Sequence, residues 1–130
     1  MKFIKLLIIC FVLPTITSCS SSNQAKNIVE NYLTAIDSFN FKKAEELIVP
    51  NPENLKMIEH IKTFSNKMTE AERENYINTK KVYSYKETDV TDNSAKVIVT
   101  NTQENFPVYV EFYLIKEKDK WLIDKIESNL

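Results

Sequence analysis

Residues 81–102, KVYSYKETDVTDNSAKVIVTNT, mark the point at which the hydrophobic period of the chain changes from near 3.6 to 2. From here on, β-branched and aromatic residues replace the Lys, Glu and Met of the preceding segment, which is typical of strands. The predicted strands are residues 82–89, 95–102, 108–116 and 121–127, with turns at residues 91–93, 104–105 and 118–119. Short turns between sequential strands predict an antiparallel meander.

Three helices are predicted before the strands. The first is predicted from apolar residues that recur without interruption at the i, i+3, i+4, i+7 spacing of an amphipathic helix. These residues are Ala25, Ile28, Val29, Tyr32, Leu33 and Ile36. A shorter stripe predicts a second helix over residues 41–48, which Pro50 ends. Helices followed by a meander predict an α+β fold, with three helices packed on a curved four-stranded antiparallel sheet.

The third helix has a clear start signal. Asn51 suits the N-cap position and Pro52 the first helical position. We expect one apolar face of this helix to point inward, formed by Met57, Ile61, Phe64 and Met68. Residues 69–72, TEAE, form a capping box that restarts a short helical turn.

Composition excludes several classes of protein. The chain has 130 residues, a length that favours a single domain. With 17 basic and 18 acidic residues, it lacks the excess of positive charge that is typical of nucleic-acid-binding proteins. It contains no glycine, which excludes glycine-rich phosphate-binding loops and dinucleotide fingerprints. His60 is the only histidine and has no second histidine to complete a metal site. We therefore expect no cofactor and no metal.

The amino terminus has the pattern of an export signal. Lys2 and Lys5 supply positive charge ahead of an unbroken apolar run at residues 6–13. This run is too short to cross a hydrocarbon layer about 30 Å thick. Residues 16–19, ITSC, resemble the bacterial lipobox, in which the cysteine thiol receives a diacylglycerol and the chain is cleaved just ahead of it.

The lipobox resemblance implies a division of the chain into three parts. Residues 1–18 are then a lipoprotein signal peptide, residues 19–24 a tether lipidated on Cys19, and residues 25–130 a single domain. The alternative is a secreted protein that is cleaved nearby, with Cys19 free or in a disulfide. Cys10 lies inside the apolar run and would leave with the signal peptide, so it offers Cys19 no partner.

Cleavage also changes the net charge. It removes Lys2 and Lys5 but no acid, which leaves 15 basic and 18 acidic side chains and a net charge of −3. Because anionic lipid attracts basic surfaces, we expect this domain to hang from its tether rather than lie on the membrane. By resemblance to bacterial lipoproteins, Ser20 is compatible with transfer to the outer membrane. A periplasm-facing position in the cell envelope is the resulting expectation.

Three passages carry a resemblance to a known superfamily: residues 29–44 (VENYLTAIDSFNFKKA), 94–100 (SAKVIVT) and 118–124 (KDKWLID). In the order of its helices and strands, the chain resembles the cone-shaped nuclear transport factor 2-like (cystatin-like) superfamily over residues 25–130. More narrowly, it resembles small bacterial lipoprotein domains of that superfamily. Such domains usually have glycine where Asn40 and the Asp119-Lys120 pair stand.

The resemblance implies a cone interior and two classes of function. The candidate lining residues are Tyr32, Phe64, Phe112 and Trp121. Isomerases and polyketide cyclases of the superfamily place Asp, His or Tyr inside the cone, where apolar walls raise the pKa of a carboxyl group. An enzyme of this type would use Tyr32 with a carboxylate such as Asp37. The favoured class is a non-catalytic domain that binds a ligand or a protein.

Four tyrosines alternate on the predicted strands and form a candidate interface: Tyr83, Tyr85, Tyr109 and Tyr113. We expect them to build a cross-strand aromatic ladder on one face of the sheet. This face is either a wet surface with exposed hydroxyls or an interface for a second copy or an envelope protein.

Overall fold

The computed structural model describes residues 23–102 and 108–128. In these ranges the helices are α1 (Gln24–Asp37), α2 (Phe41–Glu45), α3 (Pro52–Asn66) and α4 (Glu70–Asn78). The strands are β1 (Tyr83–Thr88), β2 (Ser94–Asn101), β3 (Tyr109–Glu117) and β4 (Lys120–Ser128). The predicted α+β class is confirmed, although the described ranges hold four helices instead of three. The predicted signal peptide, Cys19 and the turn at residues 104–105 lie outside the described residues.

The four strands form one antiparallel sheet in the order β1-β2-β3-β4, which confirms the predicted meander. Each strand begins and ends within one residue of its predicted bounds. The β3–β4 turn has two residues, Lys118 with φ 48° and Asp119 with φ 62°. Two consecutive positive φ values define the type I′ hairpin, whose twist matches that of the flanking strands. The chain forms this turn without glycine.

Helix α1 packs its apolar stripe against the sheet, with Ala25 and Val29 fully buried. It ends in a Schellman motif, in which the Phe39 N–H donates to Ile36 O (3.0 Å) and the Asn40 N–H to Ala35 O (2.8 Å). The residue with positive φ in this motif is Phe39, at 56°. The resemblance places glycine at Asn40, but the left-handed residue of this structure is the one before it.

Helix α2 is shorter than predicted, because the chain leaves the helix to join the sheet. Ile48 forms a parallel bridge with Ile123. The Val49 N–H donates to Ile123 O (2.8 Å), and the Ile123 N–H donates to Leu47 O (2.9 Å). Backbone hydrogen bonds with β4 therefore replace the last helical turn that the apolar pattern predicted.

Helix α3 starts as predicted, with Asn51 as the N-cap whose side chain accepts from the Asn54 N–H. Its inward face agrees with the predicted one at Ile61, which packs partly buried against the core, but not at Met57 or Phe64. The buried residues are Asn54, Ile58 and Ser65, whereas Met57 is 36% and Phe64 54% exposed. The cause is that Asn54, not an apolar residue, fixes the rotation of the helix. Its Nδ2 donates to Val49 O (2.9 Å), Ile123 O (3.1 Å) and Asp124 O (3.0 Å).

The hydrophobic core lies between the helices and one face of the sheet. Its strand residues include Val97, Phe112, Leu114 and Ile123, each no more than 2% exposed. The register of β3 and β4 shifts between Tyr113 and Leu114. None of the helices in residues 23–102 and 108–128 has the combined length and apolarity that a membrane span requires.

Candidate functional site

Three of the four predicted lining residues lie in the core. Tyr32, Phe112 and Trp121 are at most 4% exposed, and the Tyr32 ring packs edge-on against Phe112 at 6.0 Å between centroids. Burial raises the pKa of Tyr32 to about 12. Phe64, by contrast, lies on the exposed surface of α3 and not in the core with them. The space expected inside a cone is therefore largely occupied by side chains here.

The four tyrosines of the candidate interface do not share a face, so the predicted ladder is wrong. Tyr85 pairs with Val99, a buried residue, so Tyr83 and Tyr85 face the helices. Tyr109 and Tyr113 alternate with buried Phe112 and point to the opposite face. Within each strand the tyrosines share a face, as predicted, but the register between strands decides which strands present them on the same face.

On the outer face, Tyr113 is the centre of a polar network. Its hydroxyl donates to Glu111 Oε2 at 2.6 Å, and Lys96 pairs with Glu111 at 3.1 Å. The ammonium groups of Lys96 and Lys125 lie 5.5 and 5.9 Å from the centre of the Tyr113 ring. The Glu111 hydrogen bond raises the pKa of Tyr113. Since these charges satisfy one another, the arrangement favours a wet surface at Tyr113.

On the helix-facing side, an open groove separates α1 from the edge strand β1. We name it the α1–β1 groove; its volume is about 530 Å³. It is lined by Leu33, Thr34 and Asp37 of α1, by Ser38 at the C-cap of this helix, by Ile77 of α4, and by residues 79–83 and Tyr85 of β1 and its approach. Two apolar side chains on its rim, Ile77 and Val82, are 42% and 39% exposed. The groove thus combines exposed apolar surface with a polar floor.

The polar floor is built around the Asp37 carboxylate. The Tyr83 hydroxyl donates to Asp37 Oδ2 at 2.9 Å, and Lys81 Nζ lies 3.8 Å from Oδ1. Burial raises the pKa of Asp37, and the hydrogen bonds from Tyr83 and Tyr76 and the charge of Lys81 oppose this only in part. Lys81 also lies 3.7 Å from the centre of the Tyr76 ring and donates to the Tyr76 carbonyl. One carboxylate is therefore held by residues of α4, of β1 and of the segment between them.

The structure does not bring Tyr32 and Asp37 together as the enzyme hypothesis expected. They are five residues apart on α1, about 140° around the helix axis at 3.6 residues per turn. Tyr32 therefore packs in the core, whereas Asp37 lines the groove and pairs with Tyr83 instead. Tyr83 was predicted as an interface residue. The one signal for its role as the partner of Asp37 is that Tyr83 lies on the helix-facing side of β1, and this depends on the strand register.

A second, smaller cleft adjoins the α1–β1 groove and shares Leu33 and Tyr83 with it. It has a volume of about 340 Å³ and an apolar lining from Val99, Val110 and Phe112. Phe112, one of the predicted lining residues, thus borders this cleft. The apolar surface of the two clefts is continuous through the residues they share.

No family model, curated protein or solved structure matches this chain. In the part of the chain that the structure describes, no group of three or more His, Cys, Asp or Glu side chains is placed to hold a metal ion. His60 lies on the exposed surface of α3, beside Met57 and Glu59. The site is therefore characterised by its geometry alone.

Proposed function

We propose that this protein is a lipid-anchored bacterial envelope protein whose domain binds a partner non-catalytically in the α1–β1 groove. The observation that carries the binding role is the groove itself. It places exposed Ile77 and Val82 beside the Asp37–Tyr83 pair, while the interior under the sheet is occupied by core side chains. Apolar walls with a few convergent polar groups are the usual composition of a binding site.

The cone-shaped nuclear transport factor 2-like arrangement is part of the same proposal. Helices that precede an antiparallel meander, and that pack on one of its faces, support it. In this arrangement the open end of the cone corresponds to the region around Leu33 and Tyr83, where both clefts meet.

The anchor is proposed from the amino-terminal pattern. Acyl chains contribute about 0.8 kcal/mol per buried methylene, so one chain holds a protein only reversibly, and two or more hold it stably. A diacylglycerol on Cys19 would keep the acidic domain at the membrane, in our proposal the outer membrane facing the periplasm. Lipidation also accounts for the cysteine that ends the lipobox-like stretch at residues 16–19.

Metabolic labelling with palmitate tests the anchor. We expect label on the wild-type chain, which fractionates with the outer membrane, and no label on Cys19→Ala. Cys10→Ala is the matched control, because it removes the other cysteine while leaving the lipobox intact. Unlabelled wild-type protein, released into the medium, would contradict the anchor.

Photo-crosslinking in cells tests the groove. A benzoylphenylalanine at Val82 is expected to trap an envelope component. The same residue at Val90, which is equally exposed (41% against 39%) but lies beyond the other end of β1, is the control. Equal trapping from the two positions, or none from Val82, would contradict a binding role for the groove.

The alternative function is an isomerase or cyclase of the same superfamily. One observation favours it. Burial raises the pKa of the Asp37 carboxyl group, and this group accepts a hydrogen bond from the Tyr83 hydroxyl. Such a pair suits proton transfer next to a carbonyl group. Deuterium exchange at the α carbon of cyclic ketones, catalysed by the wild type and lost in Asp37→Asn, would support the enzyme.

A further inference from the structure

The backbone of β1 has hydrogen-bonding groups directed away from the sheet. β1 is an edge strand, since it pairs only with β2. The Thr102 N–H donates to Val82 O (3.2 Å), which makes Tyr83 and Asn101 a pair that does not exchange hydrogen bonds. By the alternation of antiparallel ladders, Tyr83, Tyr85 and Glu87 direct their N–H and C=O groups outward. No backbone hydrogen bond to these outward groups occurs among residues 23–102 and 108–128.

The opposite edge of the sheet is treated differently. At β4, the 47–49 segment pairs with Ile123, and the side chain of Asn54 donates to the Ile123 and Asp124 carbonyls. Proteins commonly cover or interrupt an edge strand in this way, because an exposed edge pairs with other chains. The protein thus covers one edge of its sheet and leaves the edge beside the α1–β1 groove open.

The dimensions and chemistry of the groove fit an added strand. From residue 83 to residue 87 the edge is about 13 Å long at roughly 3.3 Å per residue, which is enough to pair with about five residues. Side chains of an added strand that point toward the helices would meet Leu33 and Ile77, and the alternate ones would point to solvent. Such a segment alternates apolar and polar residues.

The charges at the groove select the occupant further. Lys81 is paired with Asp37, but Lys80, which also lines the groove, is exposed and has no ion-pair partner in the described part of the chain. Among the residues that line the groove, the uncompensated charge is therefore the positive charge of Lys80. A carboxylate on the occupant, next to Lys80, would complement it.

We propose, on the basis of the proposed function, that the groove binds an extended, acidic polypeptide segment that adds to β1 as a fifth strand. The backbone of the segment pairs with Tyr83, Tyr85 and Glu87, and a carboxylate at its end pairs with Lys80. Backbone pairing supplies the affinity, and the alternating side chains supply the specificity.

Fluorescence polarisation with a labelled peptide, Asp-Thr-Val-Thr-Val-Thr-Asp, tests the proposal on the full-length lipidated protein in detergent. Two N-methylated forms of the peptide carry methyl groups on alternate amides, in the two possible phases. Since only one set of amides faces β1, we expect one form to lose binding and the other to bind like the parent. Equal binding of the two forms, or no binding of the parent peptide, would overturn the proposal.

Variants of β1 test the same point from the side of the protein. Tyr85→Pro removes an outward N–H, which an edge strand tolerates, whereas Tyr85→Ala removes the side chain and keeps the N–H. We expect Tyr85→Pro to bind the peptide about tenfold more weakly than Tyr85→Ala, with thermal melting confirming that both are folded. Equal affinity of the two variants, both folded, would overturn the proposal. If Tyr85→Pro does not fold, the comparison of the two N-methylated peptides decides whether the proposal stands.

Two charge reversals test the acidic end. Lys80→Glu should weaken binding at least about threefold. Lys86→Glu, an identical change on the opposite face of β1, should leave binding unchanged; equal effects would count against the carboxylate.

A dimer that dissociates in Tyr85→Pro would place a second copy on this edge and overturn the proposal. If Val82 crosslinks a partner in cells while every peptide test fails, the proposed function stands and the added strand does not.

Discussion

The Tyr83 hydroxyl donates a 2.9 Å hydrogen bond to Asp37 Oδ2, and this bond joins the first residue of β1 to the last residue of α1. The two residues are 46 positions apart. Lys81, two residues before Tyr83, approaches the other carboxylate oxygen. The mouth of the α1–β1 groove is therefore held by a charged pair and a phenol, and its geometry depends on the ionisation of one carboxyl group.

Asp37 gives the first prediction, a pH dependence of stability with a defined sign. Because burial raises its pKa above 3.8, the folded state binds the Asp37 proton more tightly than the unfolded state. The contribution of this group to the free energy of unfolding therefore falls as pH rises from the unfolded pKa through the folded one. Relative to Asp37→Asn, the wild type should gain stability on acidification, measured as urea midpoints between about pH 3 and pH 7.

Glu111 is the matched control for this prediction. The hydrogen bond from Tyr113 and, second, the one from Lys96 lower the pKa of Glu111. Its contribution to the free energy of unfolding is therefore fully present above the unfolded-state pKa of 4.5 and is lost as the pH falls through the folded-state pKa. Relative to Glu111→Gln, the wild type should therefore lose stability on acidification. Difference curves with the same sign for the two variants would show that the Asp37 carboxyl is not held as described.

The parts of the fold that the sequence predicts well are those decided by local pattern. The α1 stripe, the N-cap at Asn51 and the capping box at Thr69 each depend on residues within a few positions, and all three are present. The strands were also located within one residue, since alternation over six to nine residues leaves little freedom. The two-residue turn at Lys118 follows from the spacing of its strands.

The parts that the sequence does not predict depend on partners far along the chain. Asn54 is buried because it bonds to carbonyls 69 and 70 residues away, and no local pattern indicates this. The Asp37–Tyr83 pair likewise needs the sheet register, which a one-residue shift would reverse. The candidate site is for this reason less predictable than the elements that build it.

Asn54 gives the second prediction. Asn54 is only 3% exposed, and Asn54→Ala removes the amide that donates to the carbonyls of Val49, Ile123 and Asp124. The Ile123 carbonyl keeps its bond from the Val49 N–H, and the Asp124 carbonyl keeps its bond from Asn51 Nδ2. We expect a loss of roughly 2–4 kcal/mol in the free energy of unfolding, measured by urea denaturation. Asn78→Ala, at an exposed position of α4, should change it by less than about 0.5 kcal/mol. Equal effects would mean that the α3–β4 contact does not depend on this amide.

Phe39 gives the third prediction, on strain at the end of α1. Its φ of 56° costs a non-glycine residue roughly 1 kcal/mol, but its ring stacks on Tyr76 at 5.0 Å and lies 5.8 Å from the Arg73 guanidinium. Phe39→Ala loses the ring and keeps the strain, whereas Phe39→Gly loses both. We expect Phe39→Gly to be more stable than Phe39→Ala by about 1 kcal/mol in thermal unfolding. If alanine is the more stable replacement, Phe39 does not adopt the left-handed conformation.

The β3–β4 hairpin gives the last prediction, a stabilising one. Lys118 and Asp119 both have positive φ, and neither forms an ion pair in the part of the chain that the structure describes. Asn-Gly is the sequence best suited to a type I′ turn, so Lys118→Asn combined with Asp119→Gly relieves strain without removing an ion pair. We expect a gain of about 1 kcal/mol, seen as a rise of a few degrees in Tm. Asp119→Ala should lower Tm, because alanine tolerates positive φ less well than aspartate. A double variant with a lower Tm than the wild type would show that the two strands are joined by a turn of another type.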